Sequence, residues 1–305
     1  MFEFLNDDRD PDTNYFEILN NRENSKYLTI EDFNSHICTS PRKITFFHHN
    51  VKSFNANSDF VLSIFRSSEC YPEVLVFSET WFKPETVSSI QGYSAFHTIR
   101  EQGRSGGVSV FVKNNFHSSV VPCSTFANPN IEVVTVNCRF FNENFLIIGI
   151  YRPQSGNIDD FINDLENILN RSNLSNLNVV ILGDLNINIG DESSSKDILF
   201  HLLHSFHCFP VITKFTRFPA VESQNPSILD HIWFNKISNY DSGIILSDVT
   251  DHCPIFLSIP MQSSENKFNN KIKISFRDES ESYKNYFSNC LESFDWNSIQ
   301  NENIM

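Results

Sequence analysis

An α/β sandwich is the fold this sequence predicts, with two packed mixed β-sheets and helices on their outer faces. Three observations point there. Short apolar runs of β-branched and aromatic residues recur between residues 44 and 259, bounded by Asn, Ser, Gly and Pro, which is the strand signature. Few segments between them carry the helical period, so the strands outnumber the helices. The 305 residues include 30 Phe and are 40% hydrophobic, enough bulk for a large core.

The elements follow in order. Strands are expected at Ile44–Phe47, Val74–Phe77, Val108–Val112, Ile131–Val136, Phe145–Tyr151, Val179–Leu182, Leu229–Phe234, Gly243–Leu246 and Pro254–Ile259. Each is four to eight residues of the pleat-filling type. Amphipathic helices are expected at Asn57–Glu69, Asp159–Leu169 and Lys196–His207, on the spacing of Phe60, Val61, Ile64 and Phe65, of Phe161, Leu165, Ile168 and Leu169, and of Ile198, Leu199, Leu202, Leu203 and Phe206. Residues 1–40 are rich in Asn and Asp with weak periodicity and read as a poorly ordered acidic leader. Residues 41–260 form the folded domain. Residues 261–305 read as a linker followed by a sparsely apolar helix that needs a partner. There is no internal repeat.

Composition excludes several classes. No apolar run approaches the roughly 18 residues of a membrane helix. The N-terminus has neither the basic nor the apolar region of a secretory signal. Seven Cys, an odd number without a Cys-x-x-Cys pair, argue against a disulfide framework or zinc site and for a reducing, nuclear or cytoplasmic setting. The formal charge of −14 taken alone speaks against a nucleic-acid binder. Yet Lys52, Arg100, Arg104, Arg152, Lys214 and Arg217 stand beside candidate site residues, and several of the acids are themselves candidate metal ligands. A basic rim around an acidic pocket is compatible with the total.

Polar residues with site chemistry fall at strand ends. Asn50, Glu79 and Tyr151 close their strands or follow them directly, and Asp184 and Asn186 follow Val179–Leu182. Asp230 begins a strand, and Asp251 and His252 precede one. A sheet fixes each Cα there and a short loop lets the side chains converge. Hard oxygen donors of this kind suit Mg²⁺, which polarises phosphoryl oxygens. A carboxylate can take a proton from water, and a His held by a carboxylate can stabilise developing charge. Each residue alone has an ordinary explanation as a turn former or a solvated group. The ordered set is what stands out. The adjacent His48 and His49 point to opposite faces of a strand and make no metal pair. His201, His204 and His207 read as helix-surface residues, and Cys253 as a small buried one.

The set HHNVKSFNAN (48–57), PEVLVFSETWF (72–82), GRSGGVSVFVK (103–113), IIGIYRPQSG (147–156), VVILGDLNINI (179–189), KFTRFP (214–219), SILDHIWFN (227–235) and SDVTDHCPIF (247–256) resembles the endonuclease/exonuclease/phosphatase superfamily, the DNase I-like nucleases. The likeness is strongest to the endonuclease domain of non-LTR (LINE-type) retrotransposons. It covers roughly seven-tenths of the chain, in the family's order. The resemblance implies a four-layer α/β sandwich and a Mg²⁺-dependent endonuclease, with Mn²⁺ as a substitute. Such an enzyme nicks duplex DNA to leave a 3′-hydroxyl that primes a reverse transcriptase. By resemblance, Glu79, Asn50 and Asp251 form the metal site. Asp184 activates the attacking water, Asn186 holds Asp184 and the phosphate, and Tyr151 contacts the phosphate. Asp230 partners His252, whose imidazole lies on the phosphate. Thr216 lies near the substrate strand, and Lys52, Arg104 and Arg217 are expected phosphate contacts because they flank the motifs.

Thr250 replaces the family's usual Ser, Leu185 replaces an aromatic, and Arg104-Ser105-Gly106-Gly107 is a reduced form of an Arg-Gly-Gly-Gly block expected to touch no ligand. The tail residues Arg277, Phe287, Leu291 and Trp296 resemble the connector towards a reverse transcriptase. A phosphatase or phosphodiesterase of the same superfamily is the rival enzyme reading, and an inactive truncated or domesticated fragment the third.

Overall fold

The computed structural model describes residues 25–38, 42–66, 70–100, 105–172, 174, 177–220, 224–236 and 239–261, with residues 284–285, 288–289 and 292. Arg104 and almost all of the expected linker and tail helix lie outside them. One seven-stranded sheet runs in the order β1 (Lys26–Leu28), β13 (Asp241–Ile245), β14 (Ile255–Pro260), β2 (Lys43–Asn50), β3 (Val74–Ser78), β5 (Val108–Lys113), β4 (Tyr93–Thr98). The other runs β11 (Phe209–Pro210), β12 (Asp230–Phe234), β10 (Asn178–Asp184), β9 (Glu143–Tyr151), β8 (Glu132–Phe140), β6 (His117–Val120), with β7 (Phe126–Ala127) paired to β8. Four helices cover the outer faces: α1 (Ile30–Cys38), α2 (Phe54–Arg66), α3 (Ile158–Arg171) and α4 (Ser194–Ser205). This is the expected four-layer sandwich.

The period of two distributes the side chains among three apolar layers. Ile44 and Phe46 of β2, Phe145 and Ile147 of β9, and Val180 and Leu182 of β10 point between the sheets. Phe47 of β2 points the other way, against Phe33 of α1 and Val61, Ile64 and Phe65 of α2. Leu146 and Ile148 meet Phe161, Leu165 and Leu203 of α3 and α4. Strands buried on both faces read as unbroken apolar runs rather than alternating ones, which is why β3 and β10 were visible as such. The N-caps of α3 and α4 are Asn157 and Ser193, each side chain accepting backbone N–H groups of the first turn.

All nine expected strands and all three expected helices are present, with shifted ends. The strands β1, β4, β6, β7 and β11 were not foreseen; they lie at the sheet margins and are either very short or partly exposed. The leader reading is corrected for residues 25–38. There β1 pairs in parallel with β13, and α1 buries Phe33 completely. The signal was weak because so few apolar residues serve to dock this piece.

The cysteine reading is also corrected. Cys38, ending α1, and Cys70, before β3, are disulfide-bonded with Cα atoms 5.8 Å apart. An odd count and missing local pairs do not constrain partners 32 residues apart that the fold brings within bonding geometry. The support that cysteine usage lent to a reducing setting therefore falls away. Among the described residues no helix is long and apolar enough to cross a membrane.

If α1 belongs to the fold, Phe33→Ala should destabilise the protein by about 3–5 kcal/mol, the usual cost of deleting a buried aromatic side chain. Urea denaturation measures this, and an unchanged midpoint would show residues 25–38 to be a dispensable attachment.

Candidate active site

The topology brings the candidate residues to one edge. The strands β2 and β3 are parallel, joined by α2, so Asn50 and Ser78 end side by side and Glu79 follows. The strands β9 and β10 are parallel, joined by α3, so Tyr151 and Asp184 end together. The strand β12 runs antiparallel to β10 and starts opposite Asp184 with Asp230. The strand β14 runs antiparallel to β2 and starts just after His252, with Ile255 opposite His48. Two parallel crossovers and two antiparallel neighbours thus collect six strand ends from both sheets.

Hydrogen bonds then join the sheets. The Asn50 Nδ2 donates to Glu79 Oε1 and to Asp184 Oδ2, both at 2.8 Å. The backbone N–H of Asn186 donates to Asp184 Oδ1 at 3.0 Å. His252 Nδ1 meets Asp230 Oδ2 at 2.8 Å, and the second oxygen of Asp230 lies 3.7 Å from His48 Nδ1. Thr216 is fully buried; its hydroxyl accepts the N–H groups of Leu229 and Asp230, and its carbonyl accepts that of Cys253. It therefore ties the starts of β12 and β14 together. The Thr250 hydroxyl donates to the carbonyls of Asn50 and His252, so the hydroxyl at this position locks the His252 turn onto β2.

Burial decides the charges. It pushes the Asp184 carboxyl up, with Asp230 adding to the effect and His252, Asn50 and Asn186 opposing it, to about 7. Burial also opposes a charged His252, but the carboxylates of Asp230, Asp184 and Asp251 outweigh it and raise the imidazole to about 9. Burial would raise Asp230 too; the His252 charge and hydrogen bond reverse this and hold it below the ordinary carboxylate value. His48 and His49 are wholly buried, which lowers them to about 4 and about 3 and keeps them neutral. They do point apart: His48 bonds Ser78 Oγ, and His49 bonds the carbonyl of His252.

Two carboxylate groups compete as cation sites. Ligand atoms of Asp184, Asp230 and His252 lie within 4.8 Å of one another. That group already holds a positive charge, the His252 imidazolium, and is satisfied by it. Glu79 and Asp184 instead converge on a single neutral amide nitrogen, Asn50 Nδ2. Their other hydrogen bonds also come from neutral donors, the Asn186 N–H to Asp184 and Trp81 Nε1 to Glu79 at 3.3 Å, so the hard-oxygen set around Asn50 and Glu79 fits a cation such as Mg²⁺ better. Asp251 lies beside it with both oxygens engaged, by Lys52 and by Arg217 Nε at 2.9 Å. The expected phosphate contacts Lys52 and Arg217 are thus brought to the site, each paired with Asp251.

Several supporting groups take roles that the sequence did not indicate. Glu132, fully buried and opposite Tyr151, accepts the N–H of Gly107 and pairs with Arg100. The carbonyls of Gly106 and Gly107 accept the N–H groups of Trp81 and Thr80 and so bracket the loop that carries Glu79. A Cβ at Gly107, whose φ is +93°, would stand 2.5 Å from Thr80 Oγ1. The described part of the reduced glycine block, residues 105–107, thus positions the loop of a candidate ligand. Arg152 is buried; it donates to the carbonyls of Asn186 and Gly156, and its own carbonyl accepts Asn186 Nδ2, which fixes the turn after Asp184.

Asp230→Asn should leave His252 buried without its counter-charge, so its pKa should fall from about 9 to below the ordinary 6.5. An NMR titration of the imidazole measures this; a value still near 9 would assign the shift to Asp184 and Asp251 instead. The sign for stability follows. A raised imidazole contributes stability in full below about pH 6.5, and it is lost as pH rises through about 9.

The sequence profile of the endonuclease/exonuclease/phosphatase family matches residues 47–252. No curated protein sequence matches the chain. Among solved structures, the endonuclease domain of TRAS1, a telomere-specific non-LTR retrotransposon, superposes with a TM-score of 0.58 at 14% identity, over 72% of this chain and 100% of the domain. The AP endonuclease LMAP from Leishmania major gives 0.57 at 14%, over 81% of this chain and 99% of its own. The 3′ phosphatase NExo from Neisseria, bound to a product DNA hairpin, gives 0.54 at 14%, over 70% and 98%. At these identities the likeness is one of fold, and the profile, spanning the candidate site residues from Asn50 to His252, assigns the lineage: the chain belongs to the endonuclease/exonuclease/phosphatase family.

Proposed function

We propose that the protein is a metal-dependent endonuclease that hydrolyses a phosphodiester of duplex DNA, nicking one strand to leave a 3′-hydroxyl. In a non-LTR retrotransposon setting that end would prime a reverse transcriptase. The observation that carries the reading is the convergence of Asn50, Glu79, Asp184, Asp230 and His252 at one sandwich edge, with an imidazolium and an underneutralised oxygen pair side by side.

Glu79 and Asn50, with Asp251 beside them, would hold Mg²⁺ or Mn²⁺, which supplies Lewis-acid polarisation of a phosphoryl oxygen. Asp184, with one oxygen fixed by Asn50 and the other by the Asn186 N–H, orients the attacking water and takes its proton. His252 is held by Asp230 through Nδ1, which directs Nε2 to a non-bridging phosphate oxygen. Its positive charge stabilises the negative charge that grows there as water attacks. Tyr151, raised by burial and by Glu79 and Asp184, keeps its proton and donates a hydrogen bond to the phosphate. The bond from phosphorus to the 3′-oxygen breaks, the bond to the water oxygen forms, and the leaving 3′-oxygen takes a proton from solvent, giving a 5′-phosphate and a 3′-hydroxyl. Lys52 and Arg217 release Asp251 when a DNA phosphate competes for them, so the overall charge of −14 does not forbid binding.

Nicking of supercoiled plasmid with Mg²⁺ tests the reading. Activity should vanish in EDTA and in Glu79→Ala with the fold retained, because loss of a carboxylate removes charge and geometry together. Full activity in either case refutes the mechanism. Release of phosphate from a 3′-phosphorylated oligonucleotide without nicking would favour a phosphatase.

The His252–Asp230 pair also makes a cycle. Asp230→Asn and His252→Ala should each cut single-turnover nicking by at least about 100-fold, within the usual range for a positioned acid–base group. The double variant should be scarcely worse than His252→Ala, since groups acting as a unit are not additive. Multiplying losses would mean that the pair does not act as one.

A further inference from the structure

Beside His252 the surface carries a cluster of exposed rings. Tyr27, Phe215 and Phe218 are 38%, 42% and 39% exposed. The Tyr27 and Phe218 ring centroids lie 6.2 Å apart, tilted by 58°. Lys214 Nζ lies 5.7 Å from the Tyr27 ring centroid, a cation–π distance. The Tyr27 hydroxyl donates to the carbonyl of Phe215 at 3.1 Å, so β1 braces the segment that carries both phenylalanines. That segment is tied to the site at three points: Phe218 N–H to the carbonyl of Asp251, Cys253 N–H to the carbonyl of Thr216, and Arg217 to the Asp251 carboxylate. Thr216 points into the core, while Phe215 and Phe218 stand in water.

Neighbouring rings left in water are costly unless something covers them. Two features select the occupant. Three bases, Lys214, Arg217 and Lys52, stand there against one carboxylate, Asp251, which pairs with two of them, and this positive excess favours a polyanion. The platform also adjoins the turn before His252, the group we place on the scissile phosphate. Aromatic rings among basic residues are the common means of receiving nucleobases, whose faces stack on them whatever the sequence.

We infer that Tyr27 and Phe218, on a surface that also exposes Phe215, form a stacking platform for an unpaired base of the cleaved strand next to the scissile phosphate. The inference rests on the nuclease reading and adds to it. Tyr27 lies outside the residues matched by the family profile, so a strand beyond the matched region contributes to the platform. The platform would favour DNA with an unstacked or gapped base over a fully paired duplex, because a paired base must first be unstacked to reach it.

The test measures binding in EDTA, where no cleavage intervenes. The probes are a duplex with a three-nucleotide gap carrying 2-aminopurine and the same duplex fully paired. The wild-type protein should bind the gapped probe more tightly and quench its fluorescence by stacking. Phe218→Ala should bind it about 5- to 150-fold more weakly, the range for one stacked base, and leave the fluorescence unquenched. The slope of log affinity against log salt should stay the same, because no phosphate contact is removed. Phe218→Trp should restore quenching. Equal affinity of Phe218→Ala and wild type, or loss in Phe218→Trp as large as in Phe218→Ala, overturns the platform and leaves the nuclease reading standing. A wild-type protein that binds neither probe and does not nick plasmid overturns both.

Discussion

Two carboxylates facing each other across neighbouring strands, both out of water, are the constraint around which this edge of the protein is built. Asp184 and Asp230 are register partners in β10 and β12 and are essentially inaccessible. Leaving both ionised there would cost several kcal/mol per ion without compensation. One imidazolium and one amide provide that compensation: His252 neutralises Asp230, and Asn50 shares its two hydrogens between Asp184 and Glu79. The rest follows from holding these two groups in place. The Thr216 hydroxyl fixes the start of β12, and the Thr250 hydroxyl fixes the turn before His252. His48 stays neutral beneath Asp230 so that no second positive charge competes.

The backbone shows the same concentration of demand. Lys52 (φ 41°), Ser53 (87°), Glu79 (51°), Trp81 (54°) and Asn186 (49°) all adopt left-handed conformations, and all flank the strand ends of the site. For residues other than glycine this is uncommon and unfavourable, and for Trp81 more so. The surrounding hydrogen bonds compensate. Ser53 N–H and Phe54 N–H reach the carbonyls of Glu79 and Thr80, and Trp81 N–H reaches that of Gly106. The turns after β2 and β3 are stitched to each other, so Glu79 is aimed by its neighbour's loop as much as by its own strand.

Much of this was legible in the sequence, for physical reasons that differ by element. The doubly buried strands β3, β9 and β10 appear as unbroken Val, Leu and Ile runs, and α3 shows a full apolar stripe; such patterns have few other causes. The meeting of Asn50, Glu79, Asp184, Asp230 and His252 was legible only as an order of motifs. No single residue announced it, because each is also a common turn former. Glu132 was invisible for a related reason. Its importance comes from accepting the Gly107 N–H 25 residues away, and spacing says nothing of that. The Cys38–Cys70 pair and the docking of α1 depend likewise on distant contacts made by a few side chains in a polar stretch.

The strand β1 is only three residues long, yet it lies at the outer margin of its sheet, in register with Gly243, Ile244 and Ile245 of β13. Gly243 is the position that admits it, since a Cβ there would stand 2.6 Å from the carbonyl oxygen of Lys26. Without β1, the backbone groups of β13 would line an open margin able to pair with the same margin of another molecule. The three-residue strand therefore replaces the five-residue margin of β13 with a shorter one, which offers less backbone for another chain to pair with.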